Sequence, residues 1–161
     1  MFHHFSLNVR DPEHVAEQLG YMFAAKVVRG PRPPFPFNSW FVCFGDETGS
    51  LIEVLPWGEV RDPNGRAGIA HDDQMRPHSG WHVLLSTHMP VEHIIAVAGH
   101  EGWHCEPTQA GLFQFVKVWI ENAALIEVMS TAQAVDYVSA FGVSGLASLE
   151  ERLRTLENGK P

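Results

Sequence analysis

Leu51-Ile52-Glu53-Val54 and Leu125-Ile126-Glu127-Val128 are the same tetrapeptide, met twice in one chain. In each, a carboxylate interrupts a run of strand-forming apolar residues. Successive side chains on a strand point to opposite faces, so Ile52 and Val54 share one face while Glu53 takes the other. Ile126, Val128 and Glu127 divide in the same way. Upstream of each tetrapeptide lies an alternating segment with a histidine near its start. His4 opens His4-Phe5-Ser6-Leu7-Asn8-Val9, and His82 lies in Trp81-His82-Val83-Leu84-Leu85-Ser86. The imidazoles oppose apolar rows, Phe5, Leu7 and Val9 in one case and Val83 and Leu85 in the other. The chain reads as two copies of one unit, each presenting one imidazole and one carboxylate on the polar side of a sheet.

The intervening residues support the duplication. After the first strand, Phe2 to Arg10, Asp11-Pro12 supplies an N-cap and a proline suited to the first helical position. Val15, Gln18, Leu19 and Met22 follow at helical spacing. Lys26 to Arg29 is a short strand, and Gly30 to Ser39, with four prolines, is an irregular loop. Trp40 to Phe44 is a strand, Gly45 to Gly49 a turn, and Ser50 to Leu55 a further strand. Pro56 to Ser79 shows little periodicity and reads as a connector. The order then recurs: a strand from Trp81 to Thr87, a helix from Pro90 to Gly99, a short extended stretch from Trp103 to Glu106, and strands from Leu112 to Ile120 and Ala123 to Met129. The expected organisation is a first unit over 1–60, a linker over 61–79, a second unit over 80–130 and a helical extension over 131–161. In that tail Ala134 to Phe141 and Leu146 to Leu156 read as helices. Leu146, Leu149, Leu153 and Leu156 on one face read as packing on this chain's own core rather than as a dimer contact. The last residues, Asn158 to Pro161, read as frayed.

With 161 residues, 45% hydrophobic and 19% charged, the chain suits an ordinary globular protein. A formal net charge of -8 without a basic cluster argues against nucleic acid or an anionic membrane surface as partner. No apolar run approaches the length of a membrane span, and no signal peptide is visible. Cys43 and Cys105 lack the short spacing of a zinc or redox motif, which suits a reducing, cytoplasmic setting.

One polar residue on an open sheet is ordinary. Four repeated in register across two units favour a shared site. His4, Glu53, His82 and Glu127 offer two nitrogens and two oxygens, a donor set suited to zinc, nickel, cobalt, manganese or ferrous iron. A carboxylate on an otherwise apolar strand is costly to bury without a partner, and a cation supplies one. A glutamate could also serve as base if its pKa lies near working pH. On Leu112 to Ile120, Val116, Val118 and Ile120 are expected to face the helix. Phe113, Phe115, Lys117 and Trp119 are then expected on the site's side, where Lys117 could meet an anionic group on a small-molecule substrate. In the first unit, Trp40, with Val42 and Phe44, is expected to form the matching wall. His88, His93, His100 and His104 read as surface residues.

His4 in His-Phe-Ser-Leu-Asn-Val-Arg-Asp, Glu53 and Glu127 in Leu-Ile-Glu-Val, and His82 in Trp-His-Val-Leu-Leu-Ser resemble the ligand positions of the vicinal oxygen chelate superfamily. That superfamily includes glyoxalase I, methylmalonyl-CoA epimerase, extradiol dioxygenases and bleomycin-type resistance proteins. The resemblance runs from about residue 2 to 130. It implies an α+β fold: two tandem βαβββ modules whose curved mixed sheets form a metal-binding cup, here with a C-terminal helical tail. It also implies one divalent metal per site, held by His4, Glu53, His82 and Glu127, in a cup formed within one chain or between the two chains of a homodimer. The complete set looks most like the glyoxalase I branch. The implied activity is that of a lyase, isomerase or epimerase, in which the metal chelates two oxygens of a carbonyl or α-hydroxy carbonyl substrate. A glutamate moves the proton, Glu127 before Glu53. Two other activities occur in the superfamily: ferrous cleavage of aromatic diols, against which Glu53 counts, and non-catalytic sequestration of a small molecule, against which the full ligand set counts.

Overall fold

The computed structural model describes residues 3–31, 35–47, 49–66, 69–74 and 82–158. Expectations for Pro33 and Pro34, for the connector at 67–68 and 75–80, for Trp81 and for the terminal residues 159–161 lie outside them.

The first unit contains β1 (His4–Val9), α1 (Pro12–Phe23), β2 (Lys26–Arg29), β3 (Trp40–Cys43) and β4 (Leu51–Pro56). The second contains β7 (Val83–Thr87), α2 (Val91–His100), β8 (Cys105–Ala110), β9 (Phe113–Ile120) and β10 (Ala124–Ser130). Each unit makes a four-stranded mixed sheet of the same order, β1-β4-β3-β2 and β7-β10-β9-β8. In each, the first strand runs parallel to the last and the remaining pairs are antiparallel. The duplication read from the two tetrapeptides is therefore a duplication of topology.

Local chemistry sets the element ends. Asp11 caps α1 by accepting the His14 N–H at 3.3 Å, with Pro12 beginning the helix. Val15, Ala16, Leu19, Met22 and Phe23 form its buried face. α1 packs on β3 and β4, α2 packs on β9, and the two helices touch each other. One buried cluster joins both units, from Leu7, Leu19 and Ile52 to Ile94, Val116 and Ile126. Burying each such side chain contributes about 1.5–3 kcal/mol, so the two sheets share one core.

Two expectations need correction. Within the stretch read as an aperiodic connector, β5 (Glu59–Arg66) and β6 (Ile69–His71) form an antiparallel hairpin. The Asn8 side chain ties it to β1, donating to the carbonyls of Pro56 and Glu59 at 3.2 and 2.7 Å. Pro63 and Gly65 masked its strand pattern, and the pairing register shifts between Arg61 and Arg66. The tail also differs. α3 (Thr131–Phe141) starts at Thr131, where Ser130 and Gln133 form a reciprocal cap. Leu146 falls in a 3-10 turn (Leu146–Ser148) ahead of α4 (Leu149–Asn158). Leu146 and Leu153 are 57% and 41% exposed, so the leucine row is not packed on the core throughout.

Candidate metal centre

β1 and β4 lie side by side, with Ser6 directly across from Glu53. The His4 Nε2 stands 3.8 Å from Glu53 Oε1, and the Ser6 hydroxyl donates to Glu53 Oε2 at 2.7 Å. Glu53 is 7% exposed, so its carboxylate is desolvated and retains a polar partner, as burial of charge requires. The His4 side chain is half exposed. The second unit repeats the pair. His82 Nε2 stands 3.5 Å from Glu127 Oε2, the imidazole half exposed and the carboxylate nearly covered. Beside Glu127, at the place Ser6 takes beside Glu53, stands Leu84.

Donors bound about 2.0–2.2 Å from one ion lie roughly 3–3.5 Å apart. Each His–Glu pair is close to that spacing, so each fits as two neighbouring donors of a divalent site. Among the described residues, no group of three or more His, Cys, Asp or Glu side chains is placed to hold one ion. Within one chain the four candidates stand as two separate pairs, one on each sheet.

The surrounding residues divide by register. Lys117 is directly opposite Glu127 on β9, and Trp119 lies opposite Leu125. Val116, Val118 and Ile120 are fully buried in the core, so Phe113, Phe115, Lys117 and Trp119 share the face of Glu127, as alternation requires. Trp40 does not share the face of Glu53. It pairs with Val54 and packs against the core, while Phe41 is the residue opposite Glu53. The expected wall of Trp40, Val42 and Phe44 is thus one residue out of phase, and Phe41 and Cys43 occupy it. A strand this short and apolar on both faces carries no alternation from which to read its phase.

On β9 the helix was expected against Val116, Val118 and Ile120, the face opposite Glu127, and not on the face that Glu127 shares with Phe113. Instead, α3 packs on it: the Phe113 ring meets Tyr137 edge-on at 4.9 Å and Phe141 at 5.8 Å, and stacks on Phe115. Phe115 is buried as a result. Ser6 and Leu84 were not singled out in the sequence, although each sits two residues after its histidine on the same strand face.

Of the histidines read as surface residues, His93 bonds across the two units, as does His14. His93 Nε2 lies 3.0 Å from the Tyr21 carbonyl. His14 pairs with Glu101 at the end of α2, and His100 Nδ1 lies 2.8 Å from the same carboxylate. The Glu101 hydrogen bond, outweighing desolvation, holds the His14 pKa above its ordinary value. Burial pushes Glu101 up, but the bonds from His14 and His100, with their charges, bring it below the ordinary carboxylate value. His104 packs against Trp119, ring centroids 4.8 Å apart.

No helix among the described residues is long and apolar enough to cross a membrane. No family model matches the chain, and no curated protein does. Solved structures match over most of its length. The fosfomycin resistance protein FosX from Listeria monocytogenes is 15% identical, with 96% of this chain and 97% of that chain covered and a TM-score of 0.55. Another structure of that protein, at 13% identity with 88% and 96% covered and a TM-score of 0.55, is a complex with Mn(II) and sulfate. TioX from Micromonospora sp. ML1 is 16% identical, with 81% and 98% covered and a TM-score of 0.50. At such identities the likeness is one of architecture: this chain shares the fold of these proteins, the paired units that its resemblance to the vicinal oxygen chelate superfamily implied.

Proposed function

We propose that the protein is a metal-dependent lyase, isomerase or epimerase acting on a small carbonyl or α-hydroxy carbonyl compound. The observation that carries this reading is the equivalence of two His–Glu pairs, His4 with Glu53 and His82 with Glu127, at matching places of a duplicated sheet. His4, Glu53, His82 and Glu127 would hold the ion. A bound divalent ion polarises a substrate carbonyl or hydroxyl oxygen and so acidifies the neighbouring C–H. Each pair supplies half of the donors, so we place the complete site between two copies of the chain. A two-fold contact that sets the first unit of one copy against the second unit of its partner generates two equivalent sites.

In this reading Glu127 takes the proton from carbon and returns it. Glu53, with one oxygen already accepting from Ser6, is the poorer base. Lys117, opposite Glu127, orients an anionic group of the substrate, and Phe115 and Trp119 bound the same face.

The test is elemental analysis of purified protein together with its mass in solution, followed by deuterium exchange at the α-carbon of 2-hydroxy carbonyl compounds after loading with nickel, zinc, cobalt or manganese. A dimer with about one ion per chain and exchange in the loaded form is expected. Protein that takes up no divalent metal sinks the reading.

A further inference from the structure

A cavity of about 500 Å³ runs along β7, the edge strand of the second sheet. Its wall takes successive residues from both faces of that strand, Leu84, Leu85, Ser86 and Thr87; Leu84 pairs in register with Glu127, which is not itself part of the wall. The first unit supplies further wall through Phe5, Phe23 and Phe44, the last two meeting edge-on at 5.5 Å. Ala134 of α3 closes another side. Three parts of the chain thus converge on one space, and one of its wall residues, Leu84, is the β7 neighbour of Glu127.

The volume falls within the range of pockets that take organic ligands of drug size, about 300–1,000 Å³. The wall is mixed, with Asp46, Ser50, His88 and Thr131 beside the rings of Phe5, Phe23 and Phe44, and the ring edges and faces suit an aromatic group. A substituent reaching from the level of Leu84 to that of Ser86 spans about 7 Å, close to the length of a phenyl ring with its attachment. Charge narrows the other end of the ligand. On β7, β9 and β10 the one Lys or Arg is Lys117, enough for a single negative charge.

We propose that this cavity binds the aromatic or bulky apolar part of the substrate, so that the compound turned over is an aryl-substituted hydroxy or keto monoacid rather than a two- or three-carbon compound of high charge. The assignment of the substrate's other end to Glu127 rests on the metal-centre reading above, whereas the cavity does not.

Two probes separate them. Benzyl alcohol is titrated into metal-free protein and followed by amide NMR. Mandelate and lactate, which share a chelating end and differ in phenyl against methyl, are titrated into the zinc-loaded protein by calorimetry. Benzyl alcohol is expected to shift the amides of Leu84 to Ser86 and Ala134, and mandelate to bind at least about tenfold tighter than lactate, as burial of a ring against the phenylalanine side of the wall allows. Ser86→Trp and Ala134→Trp fill the cavity from different walls; each should abolish the benzyl alcohol shifts and bring the mandelate-to-lactate ratio toward one. Ser86 is exposed, so at least that variant is expected to fold. Absent or scattered benzyl alcohol shifts, equal binding of the two acids, or an undiminished ratio in both variants overturns the proposal. Cavity shifts with neither acid binding overturn the metal-centre reading instead and support the cavity as an aromatic site.

Discussion

Ser6 and Glu53 face each other across the parallel pair β1–β4, and the Ser6 hydroxyl donates to Glu53 Oε2 at 2.7 Å. The oxygen nearest His4 is the other one, Oε1, so the hydroxyl orients the carboxylate for the imidazole's partner. A hydrogen bond of this kind typically changes metal affinity 10–100-fold. Ser6→Ala is therefore expected to weaken metal binding by about tenfold or more, read by competition with a chromogenic chelator. An unchanged affinity would remove Glu53 from the ligand set.

The two carboxylates are expected to differ in kinetic role. Glu127→Gln preserves shape and removes the base, so α-carbon deuterium exchange should fall by about 10²–10⁴, with the folded state intact by circular dichroism. Glu53→Gln should act mainly through weaker metal binding and recover in part at high metal concentration. Recovery in the first variant and not the second would reverse the assignment of the base.

His14 and Glu101 join α1 to α2, and their shifts set a pH window. His14 is raised from an ordinary value of 6.5 by its bond to Glu101. Its contribution is complete below that value and is lost as pH rises through the raised one. Glu101 is lowered from 4.5 in the net balance of burial against two imidazole bonds. Its contribution is present above that value and is lost as pH falls through the lowered one. The pair is strongest between the two ordinary values. The melting temperature of the wild type should exceed that of His14→Ala most between the ordinary values of 4.5 and 6.5, with the gap narrowing as pH rises beyond the latter through the raised His14 value. A gap independent of pH would show that the imidazole charge plays no part.

Glu121, in the β9–β10 turn, reaches the other unit and accepts the N–H groups of Arg10 and Asp11 at 2.6 and 2.9 Å, just before α1. Hydrogen bonds to a charged group contribute about 1.5–3 kcal/mol. Glu121→Ala is expected to lower the unfolding free energy by an amount near the lower end of that range, measured by urea denaturation. Glu121→Gln retains an acceptor and should lose less. Equal losses in the two variants would count against the acceptor's role.

The legible parts of the molecule were those where alternation was strong. β1 alternates polar and apolar residues, and in β9 and β10 a single charged residue interrupts each apolar run, so His4, Lys117 and Glu127 can each be assigned a side from the sequence. β3 is apolar on both faces, and Trp40 was consequently assigned to the wrong one. Within β5, Pro63 and Gly65 hid a strand whose partner is the neighbouring hairpin arm. Nothing local in Thr131 to Phe141 indicated that this helix would lie across Phe113, since that contact depends on where the chain turns after Ser130.

By itself the sequence determined the duplicated unit, the order of its strands and helices, and the residue types that each unit offers a metal, because side-chain period and tetrapeptide repetition are local properties. The tertiary structure alone decided that the four candidates stand as two pairs on separate sheets, that α3 covers part of one ligand face, and that residues of both units line one cavity along β7. These follow from how two sheets pack through a common core, an arrangement set by contacts between residues far apart along the chain.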